Sequence, residues 1–491
     1  DFETSVAILA QAVLAQGLEV LSTPSPPAVL VLSTWAMPAA ERAMQPLADA
    51  ESGNDPAQSP DATEARFCRR EFALMSVTLG VNHATVTTPI IFASTVLTNS
   101  AGQAGNAMLY GATLVCSLFL STLLFSVLGP KRGLTTAMGL YAVYACLFAV
   151  ASSLCSDRNS QGACIQGGSL QLPVVLLGSL VGGFGAGLLW TCQGAFFTAV
   201  CERIAAAELR ELQAVTAELA GTFAFVFLAS ECIVRLCSTL LTKYARLSFP
   251  ALFFVYSGLA LLATLAFAGL ARDLRGKAPG SRGSTWDKLL SAVRLWRKPQ
   301  LWLLQATNLT FGFAAAWLGG YVARNILTKA LSSDFIGFAG ALLSGLASVL
   351  SKLFGPLSAH VGKGPLVLLG SLSFGTLAVL SKWVGNPATW GWGTLVFYVL
   401  MGVGRAVYES TNKAIFADFF PGPQSAGAFA NVFVFGTGAS CAAFVLGAAQ
   451  QDIVELYLLL AFAALTFPGY LLAALLRGRG AEGARDARLE S

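Results

Sequence analysis

About twelve stretches of this 491-residue chain are apolar, nearly free of charge and roughly twenty residues long. A helix needs about 20 apolar residues to cross the roughly 30 Å hydrocarbon core of a bilayer. In lipid, a helix satisfies its backbone hydrogen bonds within the segment. Only 12% of the residues are charged, against about 25% in soluble domains. The sequence therefore predicts an all-α, multi-pass membrane protein embedded in the lipid bilayer.

The apolar stretches fall into two sets of six. The first set is predicted at 72–97, 107–129, 133–154, 173–198, 216–240 and 249–271. The second set is predicted at 300–327, 333–358, 365–384, 391–418, 425–448 and 453–476. We number these spans 1 to 12. The expected organisation is an N-terminal six-helix bundle over 66–271 and a C-terminal six-helix bundle over 300–476.

The connecting segments carry the basic residues unevenly. Most of the 31 lysines and arginines lie on the side of the N-terminal region, and the opposite side holds only Arg158, Lys243, Arg246, Lys329 and Lys382. Cytoplasmic loops are enriched in Lys and Arg. Both termini are therefore expected on the cytoplasmic side, in a membrane that the sequence does not name. The net charge of +5 needs no nucleic acid to explain it.

Three segments lie outside the predicted bundles. Residues 1–65 form an extension and a polar linker, interpreted as a surface-lying or partner-contacting segment or as the remnant of a targeting segment. Residues 272–299 form a basic linker in which 284–296 has the spacing of an amphipathic helix on the membrane surface; a partly ordered linker is the alternative. Residues 477–491 form a basic tail on the cytoplasmic side.

Two regions of the chain repeat one another. "GFGAGLLWTCQGAFF" (183–197) aligns with "GVGRAVYESTNKAIF" (402–416), and "AGTFAFVF" (220–227) aligns with "AGAFANVF" (426–433). A weaker third echo relates "LGPKRG" (128–133) to "LSAHVGKG" (357–364). Spans 4, 5 and 2 thus resemble spans 10, 11 and 8. Two such halves related by an axis along the membrane normal are typical of the major facilitator fold, with twelve helices in two bundles.

These motifs, above all "YESTNKAIFADFF" (408–420) and "GAFANVFVFGTGAS" (427–440), resemble the Unc-ninety-three-like branch of the major facilitator superfamily. The resemblance runs over about 72–475. It implies twelve helices with cytoplasmic termini. It also implies an accessory role, because members are known as trafficking chaperones of membrane proteins and regulatory subunits of potassium channels. The chain departs from the family in span 10, where Arg405 and Lys413 replace the usual acidic or amide residues, and in "GPKRG", which lacks the superfamily's aspartate.

Span 10 contains the most informative charges. Arg405, Glu409 and Lys413 recur every four residues and so share one helical face. A charge at bilayer depth costs at least about 2.5 to 3.5 kcal/mol, so the trio is expected to face the protein interior or a watery cavity. It forms either a polar site for an ion or an anionic group, or a self-neutralising ladder that joins the two halves or meets a partner protein.

Other polar residues within the spans are candidates for the central cavity. Glu231 and Arg235 in span 5 either neutralise one another or reach across to span 10. Arg324 and Lys352 lack an acidic residue four positions away and are read as snorkelling or inter-helix contacts, or as ligands. Gln193 and Asn412 occupy matching repeat positions, either as the floor of a solute site or as helix-to-helix hydrogen bonds.

The remaining chemistry is sparse. Cys155 and Cys164 flank a non-cytoplasmic loop, where an oxidising compartment would favour a disulfide. The two histidines lack metal-ligand spacing, and no catalytic motif is present, so we expect no metal, no cofactor and no enzyme activity. The sequence favours an accessory, regulatory or scaffold subunit that binds another membrane-protein complex. The alternative is a secondary transporter that moves an ion or small polar solute by alternating access.

Overall fold

Helices account for almost all of the structure, as the apolar composition predicts. The computed structural model describes residues 60–273, 292–421 and 424–489, all within the compact unit Asp55–Ser491. The predicted N-terminal extension up to residue 59 and most of the predicted amphipathic helix at 284–296 lie outside the described residues. We call 60–273 the first segment and 292–489 the second segment.

The first segment contains six helices and one β-hairpin. The helices are α1 (Pro60–Val96), α2 (Asn99–Val115), α3 (Ser121–Ser153), α4 (Gln171–Ala207), α5 (Leu212–Thr239) and α6 (Phe249–Leu270). Wider π-helical turns follow α2 at Cys116–Leu120 and α5 at Leu240–Tyr244. The hairpin consists of β1 (Cys155–Arg158) and β2 (Cys164–Gly167), paired antiparallel between α3 and α4.

The second segment is also helical. Its main helices are α7 (Pro299–Trp317), α8 (Ile336–Val361), α9 (Lys363–Trp383), α10 (Val396–Val407), α11 (Lys413–Phe419), α12 (Ser425–Ala448) and α13 (Asp452–Leu489). A π-helical stretch, Leu318–Leu327, and a short turn, Thr328–Ala330, extend α7, and the π turn Tyr408–Asn412 joins α10 to α11. Short 3-10 turns lie at Leu295–Arg297, Ser333–Phe335, Pro387–Thr389 and Gly391–Leu395.

Eight helices in the described part are long and apolar enough to cross a membrane by length and composition. Predicted spans 1, 2, 7 and 10 are helical but fall outside this set. The reason is visible in α1, where Ser76, Asn82, His83 and Thr88 are buried, so polar side chains within the protein lower the mean hydropathy. The protein is thus a multi-pass membrane protein, and the count of twelve crossings stays a prediction.

Helix α1 begins earlier than its predicted span. It starts at Pro60, where proline suits the first helical turn. Its first turns are held by ion pairs to the end of α4: Glu64 with Arg203 at 3.3 Å, and Arg69 with Glu208 at 2.8 Å. The hydrogen bonds from Arg69 lower the pKa of the Glu208 carboxyl below its ordinary value. Residues 60–65 therefore belong to a helix rather than to a linker.

The two segments meet in a shared core. Helix α5 packs on α8 and α2 packs on α12, and one hydrophobic cluster includes buried side chains from both segments, among them Phe92, Phe253, Trp317 and Phe397. Close helix approach also explains a glycine of the repeat motif. A side chain at Gly183 in α4 would collide with the Leu109 carbonyl of α2.

Two glycines at matching repeat positions make the same backbone turn. Gly129 interrupts α3 with φ +70° and ψ 177°, and Gly362 separates α8 from α9 with φ +79° and ψ 170°. This conformation is accessible essentially to glycine alone. The weak sequence similarity between "LGPKRG" and "LSAHVGKG" therefore corresponds to one backbone turn that occurs in both segments. In each case the turn lies where one helical stretch ends and the next begins.

We expect Gly129→Ala and Gly362→Ala each to destabilise the fold by roughly 1 to 3 kcal/mol, because alanine strains at this φ and ψ. Thermal unfolding of the purified protein in detergent measures the effect. Gly258→Ala is the matched control, since its added methyl group meets no neighbour in the middle of α6 and alanine favours helix. Equal midpoints for all three variants would contradict the assignment.

Candidate functional site: a buried charge network between the segments

A continuous chain of charged side chains crosses the protein interior. Helix α5 supplies Glu231 and Arg235 one turn apart, and the α10 region supplies Arg405, Glu409 and Lys413. The two helical faces meet at Glu231, which accepts from Arg405 and forms an ion pair with Arg235. Of the sequence alternatives for Glu231, the structure shows the pair within α5 and the reach to span 10 together.

Glu231 is the centre of the network. Its side chain is 2% exposed, its Oε2 lies 2.9 Å from Arg405 Nη1 and 3.3 Å from Arg235 Nη1, and its Oε1 accepts from Arg405 Nη2 at 3.4 Å. The Ser344 hydroxyl of α8 donates to Oε2 at 3.1 Å. One carboxylate thus binds groups from three helices, two of them in the other segment.

The outer part of the network follows the helical ladder expected from the sequence. Arg405 Nε lies 4.0 Å from Glu409 Oε1, and Lys413 Nζ lies 2.6 Å from Glu409 Oε2. Exposure rises along the ladder, from 13% for the Arg405 side chain to 26% for Glu409 and 48% for Lys413. The five charges sum to +1, and the most accessible member is a cation.

Two guanidinium nitrogens remain without hydrogen bonds. The Nε atoms of Arg235 and Arg405 are buried and have no hydrogen-bond partner within the described residues. Arg235 instead uses Nη1, which donates to Ser344 Oγ at 2.5 Å and to the Gly340 carbonyl at 3.5 Å. Both contacts fix α5 against α8. The buried end of the network, formed by Glu231, Arg235 and Arg405, therefore connects neighbouring helices and is what we call a joint.

The structure places the two predicted amides, Asn412 and Gln193, in different surroundings. Asn412 is buried and donates to Asn308 Oδ1 of α7 at 2.9 Å, while Asn308 donates to Gln305 at 2.6 Å. Gln193 is half-buried on α4, and no contact in the described residues joins it to Asn412. For Asn412 the geometry favours the helix-to-helix alternative.

The two isolated cations bind across helices. Arg324 donates from Nη2 to the Cys164 carbonyl at 3.0 Å and from Nη1 to the Ser94 and Leu97 carbonyls at the end of α1. Lys352 Nζ of α8 lies 5.9 Å from the ring centre of Phe225 in α5, a cation–π distance. Both join the first segment to the second. Cys155 and Cys164, the first residues of β1 and β2, are linked in a disulfide between the two strands, with their Cα atoms 6.0 Å apart.

Some members of the site were not singled out from sequence. Ser344 carries no signal in the sequence, since a lone serine in an apolar span is common. Asn308 was visible as a polar residue in span 7, and its role as the acceptor for Asn412 required the fold. Outside the network, His83, one of the two histidines considered from the sequence, is buried among aromatic rings, with the ring centres of Trp190 and Phe227 5.3 and 4.6 Å away. In the described ranges, no group of three or more His, Cys, Asp and Glu residues could hold a metal ion.

Solved structures similar to this chain include transporters of the major facilitator fold. The nucleoside transporter NupG matches with a TM-score of 0.55 and 15% identity over 84% of this chain and 99% of that one. The xylose transporter XylE from E. coli, in a partially occluded inward open conformation, matches with a TM-score of 0.52 and 14% identity over 86% and 99%. The chain therefore has the major facilitator fold.

Within that fold the sequence is similar to one group of proteins. Protein unc-93 homolog A of Bos taurus is 26% identical over 424 residues, covering 78% of this chain and 88% of that protein. No protein-family model matches the sequence. The resemblance to the Unc-ninety-three-like branch, inferred from the span 4 and span 10 motifs, is confirmed.

Removing the central carboxylate tests the network. We expect Glu231→Gln to destabilise the protein by about 3 to 5 kcal/mol, because Arg235 and Arg405 would remain buried without their shared counter-charge. Glu409→Gln is the matched control. We expect it to cost under about 1 kcal/mol, because its partner Lys413 is half-exposed. Thermal unfolding in detergent compares the two, and equal losses would show that Glu231 is not the centre.

Proposed function

We propose that this protein is an accessory subunit that binds and regulates or stabilises another membrane-protein complex. The observation that carries this proposal is the use of the buried charges. Glu231, Arg235 and Arg405 bind one another and Ser344, so they join α5, α8 and α10 instead of facing a solute. The similarity to unc-93 homolog A over most of the chain supports the same role, because the resemblance implies accessory functions.

We further infer that the helices form twelve crossings in two sets of six, with both termini on the cytoplasmic side. Helices over all twelve predicted spans support the count, and within the described residues eight helices are also long and apolar enough to cross a membrane. The matching glycine turns at Gly129 and Gly362 support the duplication. The excess of Lys and Arg in connections on the N-terminal side supports the orientation.

A secondary transporter is the second candidate. It is favoured by the solved structures of the same fold, which are transporters by name, and by the partly exposed Glu409–Lys413 pair in span 10. In this alternative the pair binds an ion or a small polar solute during alternating access.

One variant series separates the two functions. Cells lacking the protein are complemented with the wild type, Glu409→Gln or Glu231→Gln. For an accessory subunit we expect a stoichiometric membrane-protein partner to copurify after mild detergent extraction. That partner's abundance should fall in the deficient cells and recover with Glu409→Gln as with the wild type. Glu231→Gln should fail because it does not fold stably.

The transporter alternative predicts a different pattern. The purified protein would be a monomer, and no other protein would copurify with it in stoichiometric amount. Reconstituted vesicles would show solute flux with the wild type, and Glu409→Gln would lose that flux while keeping its thermal midpoint. The accessory proposal expects that partner binding does not need the exposed Glu409–Lys413 pair. If Glu409→Gln folds normally but does not restore the partner's abundance, this expectation is wrong.

A further inference from the structure

The disulfide-bonded hairpin occupies one face of the molecule, which we call the hairpin face. Its tip is held internally, because Asn159 Oδ1 accepts from the backbone N–H groups of Gln161 and Ala163 at 3.1 and 2.8 Å. The Arg158 guanidinium donates to the Gly162 carbonyl at 3.2 Å. With the Cys155–Cys164 bond between its strands, the hairpin is a small preformed unit rather than an open loop.

Arg324 fastens this unit to the second segment. The arginine lies on the π-helical extension of α7 and donates to the Cys164 carbonyl at 3.0 Å. Its other nitrogen binds the Ser94 and Leu97 carbonyls, where the end of α1 favours a cation. The acceptor in this contact is the backbone carbonyl of Cys164, which is a disulfide-bonded residue. The position of this carbonyl therefore depends directly on the disulfide.

A second contact lies at the hairpin tip. The Ser333 N–H, in the turn before α8, donates to the Gln161 carbonyl at 3.0 Å. Gly162 next to it has φ +85°, and a side chain there would collide with Ser333. Nearby, the Ser94 hydroxyl donates to the Gly319 carbonyl at 2.7 Å. The hairpin and the end of α1 are thus joined to the second segment at several points on this face.

We propose that the disulfide-bonded hairpin is a redox-sensitive clasp, which keeps the two segments closed on the hairpin face through Arg324 and Ser333. Opening the disulfide frees the chain around Cys164 to move, and the carbonyl no longer stays within reach of Arg324. The segments then separate on this face. This proposal does not depend on whether the protein is an accessory subunit or a secondary transporter.

The chemical step is thiol–disulfide exchange with a dithiol reductant. A thiolate of the reductant attacks Cys155 Sγ, since Cys155 is partly exposed whereas Cys164 is buried. The protein S–S bond breaks, a mixed disulfide forms at Cys155, and Cys164 leaves as a thiolate that takes up a proton. The second thiol of the reductant then closes its own disulfide and releases the Cys155 thiol. Two electrons and two protons pass from the reductant to the protein.

Position 103 reports opening of this face. Gln103 of α2 is 3% exposed and packs against Gly320, on the same extension as Arg324, and against Gly447 of α12. A cysteine placed there reacts with a soluble maleimide only when the segments part, because reaction of a buried site follows local opening. Mass spectrometry of the labelled peptide separates position 103 from the native cysteines.

The experiment is a mutant cycle in the full chain carrying Gln103→Cys, in mild detergent. We expect Cys155→Ser/Cys164→Ser to raise the labelling rate roughly tenfold or more, as loss of a charge-assisted hydrogen bond implies. Arg324→Gln should raise the rate comparably. The combined variant should raise the rate by less than the product of the two separate increases, because the Arg324–Cys164 contact is lost in both. Reduction of the disulfide-bonded form with dithiothreitol, followed by desalting, should accelerate labelling, and reoxidation should reverse it.

Two controls guard the interpretation. Asp157→Asn changes an exposed hairpin side chain and should leave the rate unchanged. The native Cys201, 1% exposed near the far end of α4, should stay slow to label in every background, and faster labelling there would reveal general unfolding. Additive effects of the disulfide and Arg324 changes, or unchanged labelling at 103 after the disulfide is removed, would overturn the clasp.

Discussion

The cost of burying charge in a membrane protein governs the interior of this one. An ionised side chain removed from water is tolerated only with counter-charges and hydrogen bonds around it. Glu231 meets that condition by accepting hydrogen bonds from Arg405 and from the Ser344 hydroxyl, and by forming an ion pair with Arg235. Because these groups lie on three helices from two segments, satisfying one carboxylate fixes how α5, α8 and α10 approach. The packing of α5 on α8 therefore has an electrostatic requirement in addition to apolar contact.

The same principle separates residues that the sequence could place from those it could not. Spacing of four residues predicted that Arg405, Glu409 and Lys413 would share a face, and the ladder of contacts has that form. The same spacing could not say which carboxylate Arg405 prefers. Glu231 lies 174 residues away in the chain, and it is 2.9 Å from Arg405, whereas Glu409 is 4.0 Å away. Long-range partners such as Ser344 and Asn308 depend on helix order and rotation, which local patterns do not encode.

The fold class could be predicted from the sequence more completely than the residues at which the helices begin and end. Apolar length and internal repetition predicted the helical membrane architecture, and the major facilitator fold was reached from the repeated motifs. The start of α1 was missed because "PDATEA" (60–65) has the composition of a linker, and its Glu64 finds its ion-pair partner, Arg203, only in the fold. Helices whose polar side chains turn inward likewise look weakly apolar, although burial inside the protein removes them from lipid.

The joints between the segments lie at two depths and differ in chemistry. The inner joint uses side-chain ions within the helices, so opening it would expose an unpaired charge to a low-dielectric interior. The joint at the hairpin face uses an arginine on backbone carbonyls, whose positions depend on a covalent bond outside the helices. A single arginine can lose neutral acceptors at modest cost, since water replaces them at a surface. In the proposed clasp, the segments part at the hairpin face, while the Glu231 network holds α5 and α10 together.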